Sequence, residues 1–108
     1  MLPKSSKYRA IKTEVDGIVF PSKKEAKRYG ELKLLQRAGR IEGLTCQPKY
    51  ELVVNGKKVG RYTADFSYFD RDVRKMVAEE VKGYHVRDYA LRRNVFRALN
   101  PDIEHREI

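Results

Sequence analysis

Residues 57–82 read KKVGRYTADFSYFDRDVRKMVAEEVK. Over 57–69 the chain alternates as a strand does, with Tyr62, Ala64, Phe66 and Tyr68 on one face. Residues 70–74 make a charged turn. Residues 76–82 are a further strand, ended by Gly83. Two strands joined this way lie antiparallel. The pair is the expected centre of a sheet, and the rest of the chain is read around it.

Upstream, residues 50–54 are apolar and β-rich, and Asn55-Gly56 supplies a hairpin turn. Residues 41–46 form a short connector or strand. Residues 23–38 form a helix. Ser22 is its N-cap, Glu25 the capping-box partner, and Ala26, Tyr29, Leu32 and Leu35 its apolar face. Gly39 stops it. Residues 8–15 and 18–20 flank Asp16-Gly17, a second hairpin signal. Downstream, residues 86–99 form a helix with Tyr89, Leu91, Val95, Phe96 and Leu99 on its apolar side. Asn100-Pro101 ends it. Residues 103–108 are a last short strand. A crossover helix places that strand parallel to its predecessor. The expected order is β-β-α-β-β-β-α-β. It makes a single α+β (α/β) domain over 8–108, a mixed central sheet flanked by helices. Residues 1–7 are a loose basic arm.

The length of 108 residues allows one core and no second domain. Lys and Arg number 24 against 15 Asp and Glu, a net charge of +9, which points to a polyanionic partner such as nucleic acid. Cys46 is the only cysteine. An intramolecular disulfide and a cysteine-based zinc cluster are therefore excluded, and a cytoplasmic setting is expected. No stretch approaches the roughly 20 apolar residues of a membrane-spanning helix.

The charge is unevenly spread. Residues 23–40 hold seven basic and two acidic residues, whereas 65–80 hold five acidic and three basic. Basic flanks around central carboxylates suit a metal-dependent nuclease. The constellation that stands out is Asp65, Glu80 and Lys82. Glu80 and Lys82 are two apart on the expected strand and share a face. Asp65, on the neighbouring antiparallel strand, comes within reach of Glu80. Two hard oxygen ligands facing each other outline a Mg²⁺ site. The acid-x-Lys pattern occurs three times, as Glu25-x-Lys27, Glu31-x-Lys33 and Glu80-x-Lys82. Only the third lies on a strand, where the two side chains converge.

Asp65 followed by Glu80-Val81-Lys82 resembles the PD-(D/E)XK (restriction-endonuclease-like) nuclease superfamily. The nearer similarity is to small phage or prophage proteins of unassigned function within it. It extends over Lys7-Tyr8, Val15-Asp16-Gly17-Ile18-Val19-Phe20, Ser22-Lys23-Lys24-Glu25-Ala26, Gln47-Pro48, Tyr62-Thr63-Ala64-Asp65-Phe66 and Glu79-Glu80-Val81-Lys82-Gly83. The resemblance implies a mixed four-stranded sheet core flanked by helices. It also implies Mg²⁺-dependent hydrolysis of DNA phosphodiesters by an endonuclease in a bacterial host cytoplasm. Asp65, Glu80 and Lys82 match the superfamily's two acids and lysine. Glu25 matches the glutamate many members add from the first helix. Ala64 stands where the namesake motif has proline.

Each group also has a plain structural role open to it. Asp65 is then a solvated strand residue or salt-bridge partner, and Glu80 with Lys82 a surface ion pair. Glu25 is then only a capping residue. Glu79 alternates away from Glu80 and is expected to be a structural or solvated carboxylate. Lys23, Lys24, Lys27 and Arg28 on the first helix are candidates for phosphate contact. So are Lys57 and Lys58 at the hairpin turn, and Arg87, Arg92, Arg93 and Arg97 in and around the second helix. His105 has no partner at metal-ligand spacing, and His85 is a weak candidate near Lys82. The partner expected is DNA, branched intermediates included, with Mn²⁺ able to substitute for Mg²⁺ and a symmetric dimer attractive for cutting two strands. The alternative function is a non-catalytic nucleic-acid-binding phage protein.

Overall fold

Asp16 and Gly17 both sit at positive φ, 54° and 77°. This is the conformation that turns one strand tightly back on the next. It folds β1 (Thr13–Val15) onto β2 (Ile18–Phe20) with Val15 opposite Ile18. Asn55 (51°) and Gly56 (78°) do the same for β4 (Lys49–Val54) and β5 (Lys57–Thr63), with Val54 opposite Lys57. Between these hairpins lie α1 (Lys23–Arg37) and β3 (Ile41–Cys46). The remaining elements are β6 (Phe66–Asp70), β7 (Lys75–Glu80), α2 (Tyr89–Leu99) and β8 (Ile103–Glu107). The computed structural model describes residues 11–81 and 88–108. The expected arm at 1–7, the start of the first strand at residue 8, and Lys82 to Arg87 lie outside the described residues.

The centre is a four-stranded mixed sheet in the order β3-β6-β7-β8. The first two pairings are antiparallel, and β7 with β8 is parallel, as the crossover through α2 requires. The fold is thus α+β, a central mixed sheet with two helices. One sheet face packs under α1 through Phe20, Tyr29, Leu32, Phe66, Tyr68 and Val77. The other packs under α2 and the β4–β5 hairpin through Leu52, Tyr62, Ala64, Ala78 and Phe96.

Those two cores correct the reading of 57–69 as one strand. Tyr62 and Ala64 belong to the α2 core, and Phe66 and Tyr68 to the α1 core. A continuous strand sends alternate residues to the same face, so one strand cannot serve both. The chain instead changes sheets at Ala64-Asp65. Thr63 pairs with Lys49 in the hairpin, while Phe66 pairs with Glu79 in the central sheet. Backbone bonds carry the change: Ala64 N–H to Pro48 O at 3.1 Å, Gln47 N–H to Asp65 O at 2.8 Å, and Asp65 N–H to Glu79 O at 3.0 Å. The strand expected over 76–82 ends at Glu80.

Glu79 is fully buried on the α1 face. It accepts from Arg28 Nε (2.6 Å), Arg28 Nη2 (2.9 Å) and the Tyr68 hydroxyl (2.5 Å). Removing one partner of such a pair leaves an uncompensated buried charge. Arg28→Ala should therefore lower stability by about 3–5 kcal/mol. The double variant Arg28→Met/Glu79→Leu should recover most of that loss. Urea unfolding of the three proteins checks both; an Arg28→Ala protein as stable as wild type would contradict the pairing.

Candidate functional site

The change of sheets leaves Asp65 at the end of β6, one residue beyond the Phe66–Glu79 pair and therefore beside Glu80. Its backbone is held on both sides, as above. Its Oδ2 accepts from Val81 N–H at 2.7 Å, which fixes the carboxylate over the end of β7. Glu80 is the last residue of β7 and is 6 % exposed. It faces the α2 side, opposite to Glu79, and its Oε1 accepts from the Tyr62 hydroxyl at 2.8 Å.

Glu25 reaches the same place from α1. Its backbone N–H donates to Ser22 Oγ at 3.1 Å, so the N-cap forms as expected. The reciprocal half of a capping box is absent among the described hydrogen bonds. The Glu25 carboxyl turns inward instead, and its Oε2 is buried with no hydrogen-bond partner among the described residues. A buried acceptor without a donor costs about 1–3 kcal/mol.

The three carboxyls act on one another. Burial, then the Asp65 charge and a hydrogen-bonding contact with Asp65, push Glu25 up to about 7. Burial, then the Asp65 charge, push Glu80 up to about 8; the Tyr62 hydroxyl pulls the other way, and Glu25 adds to the rise. Burial, then the Glu25 charge, raise the Cys46 thiol. One helix, one sheet crossover and one strand end thus bring Glu25, Asp65 and Glu80 together.

The donor set suits a hard divalent cation. Three carboxyls that repel one another, one with an orphaned oxygen, are stabilised by a positive charge among them. Among the described residues no group of three or more His, Cys, Asp or Glu is placed to hold a metal ion. Mg²⁺ does not need one: it is held by one or two carboxylates and keeps waters and substrate oxygens for the rest.

The basic groups divide. Lys23, Lys24 and Lys27 are exposed on the part of α1 that carries Glu25. Lys57 and Lys58 are exposed at the hairpin tip, with Lys58 paired to Glu51 at 3.1 Å. Arg92 is half-buried and, with Arg61 and Thr63, lines a groove of about 610 Å³ between the hairpin and α2. Arg93 is bound to Glu107 at 2.9 Å and lies over the Tyr89 ring. Arg28, grouped by sequence with the phosphate candidates, is committed to Glu79. Lys82, His85 and Arg87 lie outside the described residues.

Sequence reasoning missed Tyr62 and His105. The Tyr62 hydroxyl lies 2.7 Å from His105 Nε2, and His105 Nδ1 lies 3.1 Å from Arg97 Nη2. The first two partners are 43 residues apart, beyond the reach of any local pattern.

The raised carboxyls fix how stability depends on pH. Folded Glu25 and Glu80 hold protons that the unfolded chain, with carboxyls near 4.5, has lost. Their contribution is therefore full below about 4.5 and disappears as pH rises through 7 and 8. His105 runs the other way. Burial first, and then the Arg97 charge, hold it down to about 4 against an ordinary 6.5, so its contribution grows from pH 4 and levels off as pH rises past 6.5. With a chelator present, Tm should fall between pH 6.5 and 8.5. Glu80→Gln should flatten the slope. A wild-type Tm that rises over that range would contradict the site's electrostatics.

No curated protein and no solved structure matches the chain. A family model matches residues 5–108, nearly the whole length, and on that match the chain belongs to the family described as "Protein of unknown function (DUF1064)".

Proposed function

We propose that this chain is a divalent-cation-dependent endonuclease that hydrolyses DNA phosphodiester bonds. The observation that carries the reading is the convergence of Glu25, Asp65 and Glu80, with raised carboxyls, in a chain of net charge +9. Acids are expensive to gather, and a basic protein that buries them against one another has a use for a cation there.

Glu25, Asp65 and Glu80 would hold Mg²⁺, or Mn²⁺ in its place. When bound, such a cation lowers the pKa of a water and offsets charge on the leaving oxygen. The chain's own groups do the rest. The carboxylates bind, and the sheet crossover keeps Asp65 in place. Lys82, two residues beyond Glu80, is assigned to hold the attacking water near the scissile phosphate. Lys23, Lys24 and Lys27 flank Glu25 and would hold phosphates on one side. Arg61 and Arg92, in the groove walled by Thr63, would hold the strand as it approaches Asp65. The mixed four-stranded sheet between two helices, with acids at a strand end, supports the resemblance to the PD-(D/E)XK nucleases. A branched DNA substrate, a homodimer and a phage setting belong to the same proposal.

The test is cleavage of labelled single-stranded, duplex, flapped and four-way DNA with Mg²⁺, Mn²⁺ or EDTA. The expected result is metal-dependent cutting by wild type. Glu80→Ala and Asp65→Asn should each lose at least about 100-fold, since each removes a cation ligand. Tight binding by every protein with no cutting under either metal would leave a DNA-binding module and end the nuclease reading.

A further inference from the structure

Behind Glu80 runs a line of three hydrogen-bonded side chains from three other elements. The Tyr62 hydroxyl on β5 donates to Glu80 Oε1 at 2.8 Å. His105 on β8 meets the same hydroxyl through Nε2 at 2.7 Å. Arg97 on α2 meets His105 Nδ1 through Nη2 at 3.1 Å. Arg97 is exposed, His105 half-buried and Tyr62 buried, so the line runs from solvent to the carboxyl cluster.

Donor chemistry gives the line a direction. A guanidinium has only donors. Arg97 therefore donates to Nδ1, and Nδ1 carries no proton. The imidazole then carries its proton on Nε2 and donates it to the Tyr62 oxygen. That leaves the single Tyr62 O–H for Glu80. With Glu80 ionised each group fixes the next, since a proton on Nδ1 would leave two donors face to face at Arg97. Ring packing holds the geometry: Tyr62 lies against Phe96 with centroids 4.9 Å apart and against His105 at 5.8 Å. Burial and the Arg97 charge keep His105 neutral, as the arrangement needs.

We infer that Tyr62, with His105 and Arg97 behind it, is the positioning device for Glu80. It fixes which carboxylate oxygen accepts from the protein and so how Glu80 is presented to a cation. The inference rests on the proposed cation-binding role of Glu80. Hydrogen-bonded partners of this kind orient a ligand and tune its affinity, and their loss typically weakens metal binding by about 10- to 100-fold. Tyr62→Phe keeps the ring and deletes the donor. Arg97→Met acts from the surface, two bonds further back, so it leaves the buried packing intact.

The experiment measures Mn²⁺ affinity of the full chain by calorimetry at one pH, alongside the His105 tautomer by ¹⁵N NMR, with His85→Gln used for assignment. Glu80→Ala marks the binding that belongs to this site. The expected outcome is a His105 with its proton on Nε2, about 10-fold or more weaker Mn²⁺ binding in Tyr62→Phe, and a smaller loss in Arg97→Met accompanied by mixed tautomers. Arg97→Lys, which keeps a cationic donor, should restore both readouts. Wild-type affinity in Tyr62→Phe and Arg97→Met, with binding still lost in Glu80→Ala, overturns the positioning role and leaves the carboxyl site standing. A proton on Nδ1 in wild type overturns the direction of the line. Mn²⁺ binding indifferent to Glu80→Ala overturns the cation reading, and the inference with it.

Discussion

The constraint on which the rest depends is that a β-strand has two faces and alternates between them. The segment around Asp65 must fill a core under α1 with Phe66 and Tyr68, and a core under α2 with Tyr62 and Ala64. No single strand in one sheet can do both. The chain resolves the conflict by leaving the β4–β5 hairpin at Ala64-Asp65 and entering the central sheet at Phe66. β3 and β4 make the matching change at Gln47-Pro48, where Gln47 takes a positive φ of 52°. Asp65 is thus held by backbone bonds on both sides and by Val81 N–H at its carboxylate. It sits at the end of the strand because packing puts the crossover there.

The same alternation separates two adjacent glutamates. Glu79 and Glu80 point to opposite faces of β7, and each is nearly inaccessible. Glu79 receives a guanidinium and a phenol, so its charge is matched. Glu80 receives a phenol and faces two further acids, so its charge is opposed. Position on a strand, rather than residue type, decides which glutamate meets a guanidinium and which meets other acids.

Much of this was legible in the sequence. The Asp16-Gly17 and Asn55-Gly56 turns, the Ser22 cap, the long first helix and the parallel last strand follow from local chemistry and crossover geometry. The Glu79/Glu80 division follows from alternation alone. The sheet crossover was not legible, because Tyr62, Ala64, Phe66 and Tyr68 alternate without interruption; all four are buried, and burial does not say in which core. Arg28 was indistinguishable from Lys24 and Lys27, since its partner lies 51 residues away. Ser22 explained Glu25 locally, so in the sequence Glu25 stood equally as a capping residue or as a partner of Asp65 and Glu80; only the fold shows its carboxyl turned toward Asp65. The Tyr62–His105 contact joins two strands of different sheets, which no periodicity reveals.

The carboxyl cluster has a cost that distant charge cannot remove. Two unit charges about 4 Å apart repel by about 4 kcal/mol at an effective dielectric of 20. The exposed lysines of α1 and the hairpin act through water, where salt screens charge within about 8 Å. Charge screened in this way does little to quiet three acids at the end of a sheet. Only a charge in contact can do that. A proton is one such charge, and it explains why Glu25 and Glu80 hold theirs up to about 7 and 8. A divalent cation is the other, and on the proposed reading it displaces those protons. The two ligands then compete, so cation affinity must rise with pH through the same range in which the cation-free fold weakens.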